Sequence, residues 1–191
     1  MNDSTKERSQ MTFLQIYLRD HEAAALGGLE LFRRSCKANR NTAYGSELER
    51  LTNEVRSDLE ELRSLCRKFE VKFSNVERAL SLTGVTVGRL KPNGRVFTYS
   101  PLSRVLELEG LSGGVIAKLR MWESLRVLAP VEPRLNGADL TRLAAGAQAQ
   151  LDALRRLHDM AAQEAFIDAS HDAGAEQRAR TTNVSQTSSE S

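Results

Sequence analysis

The apolar and polar positions of this chain alternate at helical spacing over four long segments, residues 12–37, 47–69, 101–128 and 138–166. Apolar side chains three and four residues apart form one face of a helix, so each segment predicts an amphipathic helix. The second segment has the clearest pattern, with two seven-residue series: Leu48, Val55, Leu62 and Phe69, and Leu51, Asp58 and Leu65. The last segment has the seam Leu140, Ala144, Ala147, Leu151, Leu154, His158, Ala161 and Ala165.

The first segment separates into a polar and an apolar face. Its polar stripe is Gln15, Arg19, Glu22, Glu30, Arg33 and Lys37, and the opposite face carries Phe13, Tyr17, Ala24, Gly27 and Leu31. We therefore expect the second set to pack inward and the first set to contact water.

Local signals predict where these helices begin and end. Ser46 is the expected N-cap of the second helix, and Ser100 followed by Pro101 is a typical start for the third long helix. Pro130 and Pro133 end that helix. Between the second and third long helices, Ser74 and Glu77 have capping-box spacing and predict a short helix that fades by Gly88, before the turn "KPNG".

These elements predict an all-α fold: a four-helix bundle of two antiparallel helix pairs, joined by a long crossover that contains a short extra helix. Residues 11–166 form the bundle domain, and residues 1–10 and 167–191 are expected to be disordered tails. This plan resembles the ferritin-like superfamily. The resemblance covers residues 12–166 and depends on architecture rather than on a motif.

The resemblance implies a search for metal ligands, since di-iron enzymes of that superfamily use Glu-x-x-His pairs. No such pair occurs here, because Arg155 lies three residues before His158 and Leu18 lies three before His21. Polar residues on predicted apolar faces leave a non-standard iron or manganese site as an alternative, formed by Asp20, His21, Asp58 and His158. The competing interpretation is an internal salt bridge, for instance of Asp20 or Asp58 with an arginine or histidine.

Two glycine pairs lie inside predicted helices, Gly27-Gly28 in the first and Gly113-Gly114 in the third long helix. Glycine within a helix costs about 1 kcal/mol relative to alanine. We expect close packing of two helices, or of two subunits, to offset this cost. The alternative is that the missing side chains leave room for a ligand.

The connector is basic. Residues 78–106 contain five arginines and lysines and no acidic residue, although the whole chain has a net charge of only +2. Arg89, Lys91 and Arg95 are therefore candidates for contact with an anion or nucleic acid. The connector can equally be a basic crossover lying on acidic helices, and this is the interpretation we favour.

Composition completes the functional picture. Aromatic residues make up only 5%, so aliphatic side chains must dominate the core. Cys36 and Cys66 are expected at opposite ends of an antiparallel pair and hence unbridged, which favours a reducing, cytoplasmic location. No stretch predicts a signal peptide or a membrane span, and no catalytic constellation is recognised. The leading hypothesis is a non-enzymatic bundle without a cofactor that binds a second copy or a protein partner through helix faces.

Overall fold

The computed structural model describes residues 3–72 and 100–168. Four long helices fill these ranges: α1 (Asp3–Ala38), α2 (Gly45–Lys68), α3 (Pro101–Leu128) and α4 (Gly137–Gln163). A π-helical turn, Glu164–Asp168, continues α4. The described residues contain no strand, so the prediction of an all-α four-helix bundle is confirmed.

Capping side chains explain two of the helix starts. Ser100 is the N-cap of α3 as predicted, and its hydroxyl accepts a hydrogen bond from the backbone N–H of Ser103 at 3.1 Å. Asn136 caps α4 by accepting from the N–H groups of Ala138 and Asp139. These side chains satisfy backbone donors that a helix start would otherwise leave without partners.

Two other predicted starts were wrong. Ser46 is not an N-cap, because the loop 39–44 closes on its own backbone hydrogen bonds and α2 begins earlier, at Gly45. The helix α1 begins at Asp3 rather than near Thr12, so most of the expected tail 1–10 is helical. Extending an existing helix costs far less than nucleating one, and Lys6, Glu7 and Arg8 are good helix formers. The expected short helix in the connector and most of the expected tail from residue 167 lie outside the described residues.

The helices form two hairpins, α1–α2 and α3–α4, with α1 beside α3 and α2 beside α4. At one end of the bundle the side chain of Gln15 donates to the carbonyl of Phe69, just after α2. At the other end Arg104, near the start of α3, donates to Asn39, just after α1. Residues 72 and 100 therefore flank a connection whose two ends lie at opposite ends of the bundle, as the predicted crossover requires.

The core is aliphatic, as expected, and contains the single tryptophan, Trp122. The inward face of α1 differs from the prediction. Phe13 is 68% exposed, whereas Glu22, placed on the polar stripe, is only 1% exposed. Apolar residues at 13, 14, 16, 17 and 18 surround this part of the helix, so its pattern is compatible with more than one orientation.

The buried Glu22 is partnered across the hairpin. Its Oε1 accepts a hydrogen bond from Arg63 Nε at 3.1 Å. Nearby, burial raises the pKa of the Cys66 thiol to about 11, and the charge of Glu22 adds to this effect. Cys36 and Cys66 are both free thiols, as predicted.

Candidate functional site

A cavity of about 100 Å³ lies between α1, α2 and α3. Its walls are mostly apolar: α2 contributes Val55, Leu59 and Leu62, and α3 contributes Leu111, Val115 and Met121. The cavity opens toward the surface between α1 and α3. Exposed or half-buried small residues flank this opening, namely Ala24 and Gly28 on α1 and Gly110, Gly114 and Ala117 on α3.

The glycines explain why the cavity exists. A Cβ atom added at Gly110 would lie 3.5 Å from Leu31 Cδ2, so the two helices touch at this level. A Cβ added at Gly28 or Gly114 would meet no atom within 4 Å. The expectation that both glycine pairs serve close packing within the chain is therefore wrong at these two positions. The alternative, that the missing side chains leave room for a ligand, stays a prediction.

Three polar side chains form a cluster on one side of the cavity. Lys118 Nζ donates to Asp58 Oδ2 and to Gln150 Oε1, each at 2.5 Å, and Gln150 Nε2 donates to Asp58 Oδ2 at 3.1 Å. The side chains of Lys118 and Asp58 are only 14% and 15% exposed. Burial lowers the pKa of Lys118, and the attraction of Asp58 opposes that shift. The cluster links α2, α3 and α4. It has no net charge when Lys118 and Asp58 are both ionised, because their charges are opposite.

Two further side chains on the cavity wall carry nitrogen atoms. Trp122 is fully buried, and its indole Nε1 has no hydrogen-bond partner. His21 packs edge-to-face against Tyr17, with ring centroids 4.4 Å apart. Burial lowers the pKa of His21, opposed by the charge of Asp20, so its imidazole is neutral at pH 7.

The structure does not bring the four predicted metal ligands together. His21 and Asp58 line the same cavity, but Asp58 is paired with Lys118. Asp20 is exposed and lies 3.4 Å from Arg19, its neighbour in sequence. His158 is partly exposed rather than in the core, with its Nε2 3.4 Å from Glu109 Oε1. Across residues 3–72 and 100–168, no group of three or more His, Cys, Asp or Glu side chains could hold a metal ion.

The internal salt-bridge interpretation fits Asp58, although its partner is a lysine. Sequence reasoning overlooked Lys118, Gln150 and Trp122. A signal for Lys118 was available, because it follows Leu111 by seven residues and so lies on the same face of α3. The candidate anion-binding residues Arg89, Lys91 and Arg95 lie outside the described residues, so that hypothesis stays a prediction.

A second feature is an exposed apolar stripe on the side of α3 that faces away from the bundle. We call it the outer stripe. Its residues follow one another at intervals of three, four or seven: Leu102, Leu106, Glu109, Gly113, Ile116, Arg120 and Val127. All seven are exposed. The apolar members Leu102, Leu106, Ile116 and Val127 are 50%, 50%, 48% and 81% exposed.

The end of the bundle where α3 begins is closed by Arg104. Its Nε donates to Asn39 Oδ1 at 2.9 Å, and its Nη1 donates to Glu164 Oε2 at 2.5 Å. The guanidinium also lies over the ring of Tyr44, 4.3 Å from the centroid. Burial raises the pKa of Tyr44 to about 12, and Glu164 adds to that shift. This arrangement joins the α1–α2 loop to both helices of the second hairpin.

No protein-family model, curated protein or solved structure matches this chain significantly. None of the helices within the described ranges is long and apolar enough to cross a membrane. The cavity and the outer stripe are therefore the two features of the structure that bear on function.

Proposed function

We propose that this protein is a self-associating helical bundle that acts by binding rather than catalysis, and that two copies meet through the outer stripe of α3. The observation that carries the proposal is the row of four exposed apolar side chains on that stripe. Single exposed apolar residues are normal on protein surfaces, but several that recur along one helix face favour an interaction site.

The order of residues along the stripe favours a second copy of the same chain as the partner. In an antiparallel pair of α3 helices, a two-fold axis midway between residues 114 and 115 places each residue opposite a defined position of the second copy. Leu102 then faces Val127, and Glu109 faces Arg120. Leu106 faces Glu123, which pairs with Arg120 of its own chain at 2.7 Å. The match that favours a self-complementary interface is therefore between Leu102 and Val127 and between Glu109 and Arg120.

Gly113 fits the same pairing. A Cβ at this position would contact nothing within 4 Å, so no packing inside the chain offsets the cost of a glycine in the helix. In the antiparallel pair Gly113 faces Ile116 of the second copy. The absent side chain then leaves room for the isoleucine and lets the helices approach closely.

Charge reversal tests the pairing. Glu109→Arg places a cation opposite Arg120 of the second copy, and two-fold symmetry produces this repulsion twice. We expect the dissociation constant of the dimer, measured by sedimentation equilibrium, to rise about tenfold, since exposed pairs contribute about 0.2–1 kcal/mol each. The double variant Glu109→Arg/Arg120→Glu restores opposite charges, and its affinity should return close to that of the original chain.

Glu49→Arg is the matched control, because Glu49 is an exposed acidic residue on α2. It should leave the dissociation constant unchanged. A chain that stays monomeric at about 0.5 mM, well above the micromolar range of ordinary specific dimers, contradicts the proposal. A dimer whose dissociation constant is the same for Glu109→Arg as for the original chain contradicts the proposed interface.

Two further elements belong to this proposal. A ferritin-like layout is supported by the two antiparallel hairpins and by a connection whose ends lie at opposite ends of the bundle. A cytoplasmic location is supported by the two free thiols, since reduced cysteines are the usual state there.

A further inference from the structure

The side of α4 next to the outer stripe is a second exposed surface of the same hairpin. His158 marks its edge, because its Nε2 lies 3.4 Å from Oε1 of Glu109, a residue of the outer stripe. Residues on this side recur at intervals of three, four or seven, and all are exposed: Thr141, Gln148, Asp152, Arg155, Asp159 and Phe166. We call these six residues the α4 flank.

The outer stripe by itself is small for a protein interface. A specific interface of ordinary size has about 20–30 residues on each side, whereas the outer stripe has seven. If two copies associate through the stripe, residues beside it must also be in contact. The α4 flank is the exposed surface that adjoins the stripe at His158.

Contacts within the hairpin show which residues of α3 and α4 lie at the same level. Lys118 of α3 meets Gln150 of α4, and Arg104 meets Glu164 in the same register. The helices are antiparallel, so four residues back along α3 and four residues forward along α4 lead to residues 114 and 154. The two-fold axis between residues 114 and 115 of α3 is therefore level with the point between residues 153 and 154 of α4.

This axis also determines which helix of the second copy lies opposite α4. An axis that lies in the interface and runs perpendicular to α3 reverses the direction of every helix. It keeps α4 on the same side of the α3 pair, however, so α4 of one copy lies opposite α4 of the other.

The charges nearest this axis are complementary. With the axis between residues 153 and 154, Asp152 faces Arg155 of the second copy, and the symmetry forms this pair twice. Arg155 is exposed, and no ion pair involves it within residues 3–72 and 100–168. A second copy would supply the counter-ion that the single chain does not.

The other members of the α4 flank also face one another. Asp159 faces Gln148, whose amide has two N–H donors and uses one for Asp152 at 3.0 Å. Phe166, which is 59% exposed, faces Thr141, whose hydroxyl already donates to its own helix. No pair on the flank brings together two like charges.

We propose that the α4 flank is the second half of the dimer interface, where Asp152 and Arg155 of one copy pair with Arg155 and Asp152 of the other. This inference rests on the self-association proposed above and on its two-fold axis. The two copies then meet through four helices, α3 and α4 of each chain.

Charge reversal on the flank tests this pairing in the full chain. Arg155→Glu places a second carboxylate opposite Asp152, and Asp152→Arg places a second cation opposite Arg155. Each variant creates the repulsion twice, so sedimentation equilibrium should show a dissociation constant about tenfold higher than that of the original chain. Arg156→Glu is the matched control. Arg156 is the next residue along α4 and is exposed, but it lies toward Glu47 of α2, so this variant should leave the dissociation constant unchanged.

Mixing the two reversed chains gives the sharpest test. In a mixed dimer of Arg155→Glu with Asp152→Arg, both contacts join opposite charges again. The mixed dimer should therefore form about tenfold more tightly than a dimer of either variant alone. A mixture of Arg156→Glu with Asp152→Arg carries the same net charges but keeps one repulsive contact, so it should not recover this affinity. Thermal unfolding of each variant checks that the chains are folded.

The two proposals fail in different ways. If Glu109→Arg weakens the dimer and Arg155→Glu does not, the outer stripe is the interface and the α4 flank is not part of it. If Arg155→Glu weakens the dimer and Glu109→Arg does not, the α4 flank is in contact and the outer stripe is not. Equal affinity of the two mixtures overturns the pairing of Asp152 with Arg155. A chain that stays monomeric overturns both proposals.

Discussion

The end of the bundle where α3 begins and the layer around the cavity use glycine for opposite reasons. At that end, a Cβ on Gly45 would lie 2.6 Å from the carbonyl oxygen of Arg40 and 2.8 Å from that of Asn39. In the cavity layer, which consists of the residues that line the cavity, a Cβ on Gly28 or Gly114 would have no atom within 4 Å. The first glycine is required by close backbone approach, whereas the other two leave space. The same residue type in a helix therefore does not by itself indicate tight packing.

Polar groups differ between the two regions as well. Arg104 closes the end by contacts with Asn39, Tyr44 and Glu164, which belong to three other parts of the chain. In the cavity layer, Lys118 and Asp58 satisfy each other, but the indole N–H of Trp122 has no partner. Buried polar atoms without a partner occur in both regions, because the hydroxyls of Ser35 and Tyr44 at the end also lack one. The clear contrast is between close packing around Gly45 and open space beside Gly28 and Gly114. Substitutions in the two regions test this contrast.

The largest effect should come from breaking the polar cluster of the cavity layer. Lys118→Met leaves the carboxylate of Asp58 without its cation in a mostly buried position. We expect the free energy of unfolding, measured with urea, to fall by about 3 kcal/mol, since removing one partner of a buried ion pair is strongly destabilising. Replacing all three members, as Lys118→Met/Asp58→Leu/Gln150→Met, should recover most of this loss. If the single variant is as stable as the original chain, the cluster does not stabilise the fold.

Gly45→Ala tests the closed end. The added methyl group would overlap two backbone carbonyl oxygens that cannot rotate away, so the loop 39–44 must shift. We expect a loss of about 2 kcal/mol in the free energy of unfolding, in the range of overpacking effects. A neutral or stabilising result would show that this end is not closely packed.

Gly114→Ala should have the opposite sign. The methyl group enters unfilled space, and alanine favours the helix by about 1 kcal/mol relative to glycine. The variant should therefore be more stable by up to that amount in urea unfolding, with Gly146→Ala as the control outside the cavity layer. A destabilised Gly114→Ala variant would contradict the description of this layer as open.

The smallest effect should be the pH response of His21. Burial lowers its pKa below the ordinary value of 6.5, with Asp20 opposing the shift, so the unfolded chain binds the proton more readily than the folded chain. The contribution of His21 to the free energy of unfolding is fully present above pH 6.5. It decreases as the pH falls from 6.5 through the lowered pKa of His21. His21→Gln should flatten the stability profile between about pH 6.5 and 5, the range in which an ordinary histidine takes up its proton. An unchanged profile would indicate that His21 does not contribute.

Much of the fold was predictable because its signals are local. The start of α3 follows from Ser100 and Pro101, and the inward face of α2 follows from two leucine-rich series that are buried in the structure. The face of α1 was predicted wrongly, because several consecutive apolar residues near its start suit more than one orientation. Of the candidate site, only Asp58 and His21 were foreseen, and their predicted role as metal ligands with Asp20 and His158 is not what the geometry provides.

The amino-acid sequence alone determined the helices, their order and their pairing into two hairpins, since periodicity, caps and loop lengths act over a few residues. The tertiary structure decided that Lys118 meets Asp58 sixty residues away and that Glu22 is buried. It also decided that a Cβ at Gly28 or Gly114 would meet no atom within 4 Å. These outcomes depend on how far each helix is rotated about its axis and shifted along its neighbours, and side chains distant in sequence set those quantities together.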